Sequence, residues 1–165
     1  MSISNDDLSQ LWQKIEKVRV GMLTTIDRGN GLCSRPMTAQ EVDDDGYLWF
    51  FASDMSEVAL DIDKRPVANI SFAEPKNSFY VSLSGAVDLI RDRARYKALW
   101  SPLAKAWFPR GVDDPHLALL RFTVETASYW DSDSSRMVQL LGMAKAAITG
   151  KQPKDIGSHG TVRVQ

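Results

Sequence analysis

Two stretches of this 165-residue chain carry residue types that could do chemistry together. The first is Arg35-Pro36-Met37-Thr38, in the middle of a segment that reads as a strand. A proline inside a strand withholds a ladder donor, so this strand is expected at an edge or an opening. An arginine beside freed backbone groups can grip an anion, because the planar guanidinium matches phosphate or carboxylate. The second is Phe50-Phe51-Ala52-Ser53-Asp54-Met55-Ser56, where a strand ends, a short loop follows and a helix begins near Ser56. Hydroxyls and first-turn amides at such a junction also suit an anion. Each stretch alone has a plainer account. An edge strand with a solvated arginine is the simpler reading of the first, and a capped helix after a core strand explains the second equally well. Together they say more. The strands that carry them are consecutive and joined by a short connection, so they are expected to pair side by side and turn Arg35 and residues 53–56 toward one phosphate.

Little else in the chain points to chemistry. Trp100, Trp107, Phe108 and Trp130 could stack on a flat ligand, but aromatics more often fill cores or interfaces; the loop at 109–115 could bring Trp107 to a surface. Cys33 is the single cysteine and reads as a strand residue, while His116 and His159 are far apart, so no metal site is expected. Arg28-Gly29-Asn30-Gly31-Leu32 lacks the spacing and following helix of a dinucleotide fingerprint. No residue reads as a dedicated acid, base or nucleophile, and the catalytic residues stay unassigned. A net charge of -1 with scattered basic residues argues against a nucleic-acid partner. The polar, acidic start does not read as a signal peptide. No apolar run has the length of a membrane span. A cytoplasmic setting is the expectation.

The elements that must position these residues read mostly as β. An amphipathic helix is expected at 5–17, its stripe of Leu8, Leu11, Trp12 and Ile15 sealing one end of something else. Strands follow at 20–26, 32–42, 47–51, 67–72, 79–90 and 117–131, separated by turn signals such as Asp27-Arg28-Gly29-Asn30-Gly31. Gly85 inside the fifth strand suggests a bulge or barrel corner. Short helices are expected at 56–64, in the first part of 91–108, and at 135–148. The domain is taken as 1–149, with a disordered polar tail at 150–165. Six antiparallel strands with tight turns fit a closed or nearly closed barrel, because closure removes sticky edges.

The order and spacing of several motifs resemble the bacterial general stress protein branch of the pyridoxamine-phosphate-oxidase-like flavoproteins. The carriers are Arg35-Pro36-Met37, Leu48-Trp49-Phe50-Phe51, Ser56 leading through a helix to Arg65-Pro66, and Tyr80-Val81-Ser82-Leu83-Ser84-Gly85. Leu99-Trp100-Ser101-Pro102, Ala106-Trp107-Phe108-Pro109-Arg110-Gly111-Val112-Asp113-Asp114-Pro115 and Ser128-Tyr129-Trp130-Asp131 follow. The resemblance implies a six-stranded split barrel that works as a homodimer with FMN, or FAD, at the interface. It implies Arg35, Pro36, Met37, Thr38, Phe51, Ala52, Ser53 and Ser56 as cofactor-binding residues, with Trp107 approaching from the partner subunit. It further implies a stress-related flavin-binding protein, either an oxidoreductase of unknown substrate or a non-enzymatic flavin-buffering or partner-binding module. One departure stands out. The family pattern has a phosphate-reaching lysine two residues after Ser56, where this chain has Val58 after Glu57. Loss of one charged hydrogen bond costs about 1.5–3 kcal/mol, which Arg65 or Lys76 could offset. The basic C-terminal segment with which pyridoxamine-phosphate oxidases bind substrate is also lacking, so that activity is not expected.

Overall fold

The computed structural model describes residues 5–131 and 158–163. Alternation decides how the strands face. In β1 (Val20–Ile26), Gly21, Leu23 and Thr25 turn inward while Val20 and Met22 stay exposed. The same period runs through β5 (Val67–Glu74) and β6 (Phe79–Ile90), which bury Ile70, Phe72, Phe79 and Leu83. With β2 (Leu32–Thr38), β3 (Glu41–Val42), β4 (Leu48–Ser53), β7 (Leu117–Asp131) and β8 (Ser158–Arg163) they form one antiparallel sheet. Its order is β2-β1-β5-β6-β7-β4-β3, with β8 also on β7. The fold is mainly β, an antiparallel split barrel with small helices.

Eight strands stand where six were expected. The segment at 32–42 breaks at Ala39-Gln40 into β2 and β3. β8 comes from the tail that was expected to lack structure. The reason lies on β7: β4 pairs with its first half, from Leu117 to Phe122, and leaves the second half as an open edge. Residues 158–163 pair there with Thr126 to Asp131, satisfying backbone groups that would otherwise be unpaired. The helix expected at 135–148 lies outside the described residues.

The break at Ala39-Gln40 also closes the barrel. β2 and β3 are at opposite ends of the strand order, yet only two residues separate them. Two residues span about 7 Å, so the sheet must curl until its ends meet. The Ala39 amide donates to the Arg19 carbonyl at 2.7 Å and the Gln40 amide to the Trp49 carbonyl at 2.8 Å. The strands bearing Arg35 and Ser53 therefore do not pair, contrary to expectation. β2 pairs with β1, β4 pairs with β3 and β7, and β2 and β4 face each other across the seam.

The barrel interior is packed by large apolar side chains, among them Phe50, Phe72, Phe79 and Phe122. α1 (Asn5–Val18) adds Leu11 and Ile15 to this core. A second cluster, Trp49, Tyr96, Leu117 and Leu119, joins the other face of β4 to α3 (Arg93–Leu99). β4 is thus covered on both sides. The helical stretch at 91–108 divides into α3, capped by Asp92, and α4 (Pro102–Trp107), capped by Ser101. Trp100 is extended between them, with ψ 128°, and Ser101 is held out of the helical region by the proline that follows. α2 (Glu57–Lys64) starts at its N-cap Ser56.

Candidate functional site

Four segments meet at the seam around a cavity of about 550 Å³. β2 contributes Arg35, Pro36, Met37 and Thr38; the end of β4 contributes Phe51, Ala52 and Ser53. Ser56, Glu57 and Val58 come from the start of α2, and Leu103, Ala104, Trp107 and Phe108 from α4 and the residue after it. Gln40, on the link from β2 to β3, completes the lining. All nine residues singled out from the sequence are here, in one chain. Trp107 lines this cavity from its own chain. It is 78% exposed.

Arg35 is not a loose cation. Its Nη1 donates to Thr25 Oγ1 at 2.6 Å and its Nη2 to Asp61 Oδ2 at 3.2 Å. Thr25 Oγ1 in turn donates to the same carboxylate oxygen at 2.9 Å. Thr25 faces inward from β1, and Asp61 lies on the buried side of α2 with Val58 and Ile62. A carboxylate only 6% exposed must be paired to remain charged. The three groups lock β1, β2 and α2 together. They also fix the guanidinium at the cavity with its remaining N–H groups left for a ligand.

The hydroxyls divide their roles. Ser56 Oγ donates to the Ser53 carbonyl and accepts from the Ala59 amide at 3.4 Å, so it is committed to capping. Ser53 Oγ accepts from the Met55 amide at 3.2 Å and keeps its hydrogen to give. The Glu57 and Val58 amides open α2, where intrahelical partners do not exist. Asp54 pins this loop from outside. Its carboxylate accepts from Arg91 Nη2 at 3.0 Å and meets His116 Nδ1 at 3.0 Å, while its amide donates to the His116 carbonyl. The hydrogen bond from Arg91, aided by His116 and opposed by burial, holds the Asp54 carboxyl below its ordinary range.

The aromatic wall is built around Phe51, whose ring meets Trp100 edge-on at 5.5 Å and lies 6.4 Å from Tyr96 and 6.5 Å from Phe108. Burial raises the Tyr96 phenol, which stays protonated and donates to the Leu117 carbonyl at 2.9 Å. Gln40 ties the wall to the floor: its Nε2 donates to the Thr38 carbonyl at 3.1 Å and its Oε1 accepts from Ser101 Oγ at 3.2 Å. Thr25, Asp61 and Gln40 were not picked out from the sequence. Asp61 had left a trace, a carboxylate among the apolar residues of an amphipathic helix. Neither Arg65 nor Lys76, the residues that could offset the missing lysine, lines the cavity.

A split barrel with a cavity at its seam, lined by both polar and aromatic side chains, defines the class. A family model described as pyridoxamine 5'-phosphate oxidase like matches residues 6–154, and the chain belongs to that family. Protein bli-3 of Neurospora crassa is 29% identical over 143 residues, which cover 81% of this chain and 68% of that protein. A candidate general stress protein 26 from Jannaschia sp. CCS1 superposes with a TM-score of 0.76 at 30% identity, covering 98% of this chain and 100% of that one. The general stress FMN/FAD binding protein of Xanthomonas citri gives a TM-score of 0.68 at 29% identity, covering 80% of this chain and 93% of that one.

Proposed function

We propose that this protein is a flavin-binding protein of the general stress type and that the seam cavity holds FMN, with FAD as the larger alternative. The observation that carries the reading is that Arg35, Ser53 and the first turn of α2 line one cavity together with Met37, Phe51, Trp107 and Phe108. The donor set suits the group. Apolar and aromatic side chains suit a flat fused ring, and neutral hydroxyl and amide donors with one arginine suit a polar chain. The volume lies within the range of small-molecule sites. The FMN/FAD binding protein of Xanthomonas citri, at 29% identity, supports the same ligand class. Arg35, Thr38, Gln40 and Ser53 would bind the polar part, and Phe51 and Trp107 would orient the ring and exclude water. A bound flavin supplies electron-transfer chemistry that side chains cannot. In this reading the protein is a cytoplasmic homodimer, and a second subunit covers the exposed Trp107.

The visible spectrum of the purified protein tests the proposal. The expected result is a flavin absorbance that survives gel filtration, or that appears when FMN is added to colourless protein. Protein that stays colourless after added FMN sinks it. One observation favours a non-enzymatic module as the second reading: Val58 lines the cavity where the family pattern has a phosphate-reaching lysine. Turnover of NADH or NADPH well above that of free FMN excludes the module and favours an oxidoreductase.

A further inference from the structure

We infer that the cavity recognises the ring and hydroxyl chain of a flavin and is nearly indifferent to its terminal phosphate, so that riboflavin competes with FMN. This rests on the flavin reading above. Arg35 is the one cationic side chain among the described lining residues. Its charge is already offset by Asp61 at 3.2 Å, and its Nη1 is engaged by Thr25 Oγ1 at 2.6 Å. The first turn of α2 is the other place where an anion would gain, from the helix dipole and open amides. That turn carries the chain's own carboxylate, Glu57, which lines the same cavity. A phosphate dianion placed there meets a like charge. The Ser56 hydroxyl, the natural donor at that spot, is spent on the Ser53 carbonyl. Apart from the remaining N–H groups of that neutralised arginine, the groups left to give hydrogen bonds are neutral: the Ser53 and Thr38 hydroxyls, the Gln40 amide and the backbone amides of Glu57 and Val58. Neutral donors suit hydroxyls, and they carry no Coulombic preference for phosphate.

The test is titration of the full-length apoprotein with riboflavin and with FMN, following quenching of flavin fluorescence at low and high salt. The expected result is dissociation constants within about threefold of each other. Glu57→Gln is expected to shift the ratio about fivefold in favour of FMN at low salt, with less effect at high salt as the charge is screened. Glu57→Lys is expected to shift it further in the same direction. Wild-type FMN binding about thirtyfold tighter than riboflavin overturns this inference and leaves the flavin reading standing. So does a ratio that neither variant moves. Binding of neither ligand overturns both.

Discussion

At the scale of the residue, Arg35 and Asp61 show how a binding group can also be structural. Asp61 is buried, and Arg35 is 18% exposed at the cavity. Asp61→Ala leaves a guanidinium without its carboxylate, although the arginine can turn partly toward solvent in the cavity. The expected cost is about 2–3 kcal/mol, read as a lower urea midpoint with unchanged slope. An unchanged midpoint would show that the pair holds nothing together. Asp54 gives the pH dependence. Its carboxyl is depressed in the folded protein, chiefly by the Arg91 hydrogen bond. Its contribution is therefore present above the unfolded carboxyl value of about 3.9 and is lost as pH falls through the lower folded value. The stability difference between wild type and Asp54→Asn should be visible at neutral pH and shrink toward zero in acid. A difference that grew on acidification would contradict the assigned contacts.

At the scale of the element, what could be read from the sequence depended on whether the signal was local. The bulge shows this well. A glycine inside an alternating strand marks a bend, and the β6–β7 register shifts between Ser84 and Gly85. A Cβ at Gly85 would run into the Thr123 carbonyl. Gly85→Ala is expected to lower the melting temperature by several degrees, as about 1–3 kcal/mol of overpacking would. Helix caps were legible for the same reason, since Ser56 needs only the three residues after it. Strand pairing was not. The sequential order of β2 and β4 suggested a hairpin, and nothing local to 32–53 says that two residues carry the chain across the seam. Thr25 and Asp61 were hidden likewise, because their partner lies 10 residues from one and 26 from the other. α4 shows the reverse case, an exposed residue whose role lies outside the fold. Trp107→Ala should leave the melting temperature within about 1–2 °C, as surface changes do. If the proposed site is right, the same change weakens FMN binding measurably. A large loss of stability would instead make Trp107 part of the core.

At the scale of the whole molecule, the described chain leaves apolar surface that a single copy does not cover. Val20 and Met22 of β1 and Val67 of β5 are exposed on the outer sheet face, with Leu32 at the start of the neighbouring β2. The middle of that face is small and polar, with Asn69 Nδ2 donating to Ser82 Oγ at 2.8 Å and Ser84 Oγ at 2.9 Å. A face with polar groups satisfied within the subunit and an apolar margin fits a two-fold contact between copies, in which each side presents the same patch. Sedimentation equilibrium should therefore give twice the chain mass. Met22→Arg places a charge in the apolar margin of both copies at once, and the expected product is a monomer with unchanged far-UV circular dichroism. If the seam cavity needs the second copy to cover Trp107, this monomer should bind FMN more weakly than wild type although no residue of its cavity has changed. A monomer with full affinity would make the site self-sufficient, and a dimer that survives Met22→Arg would move the contact to another face.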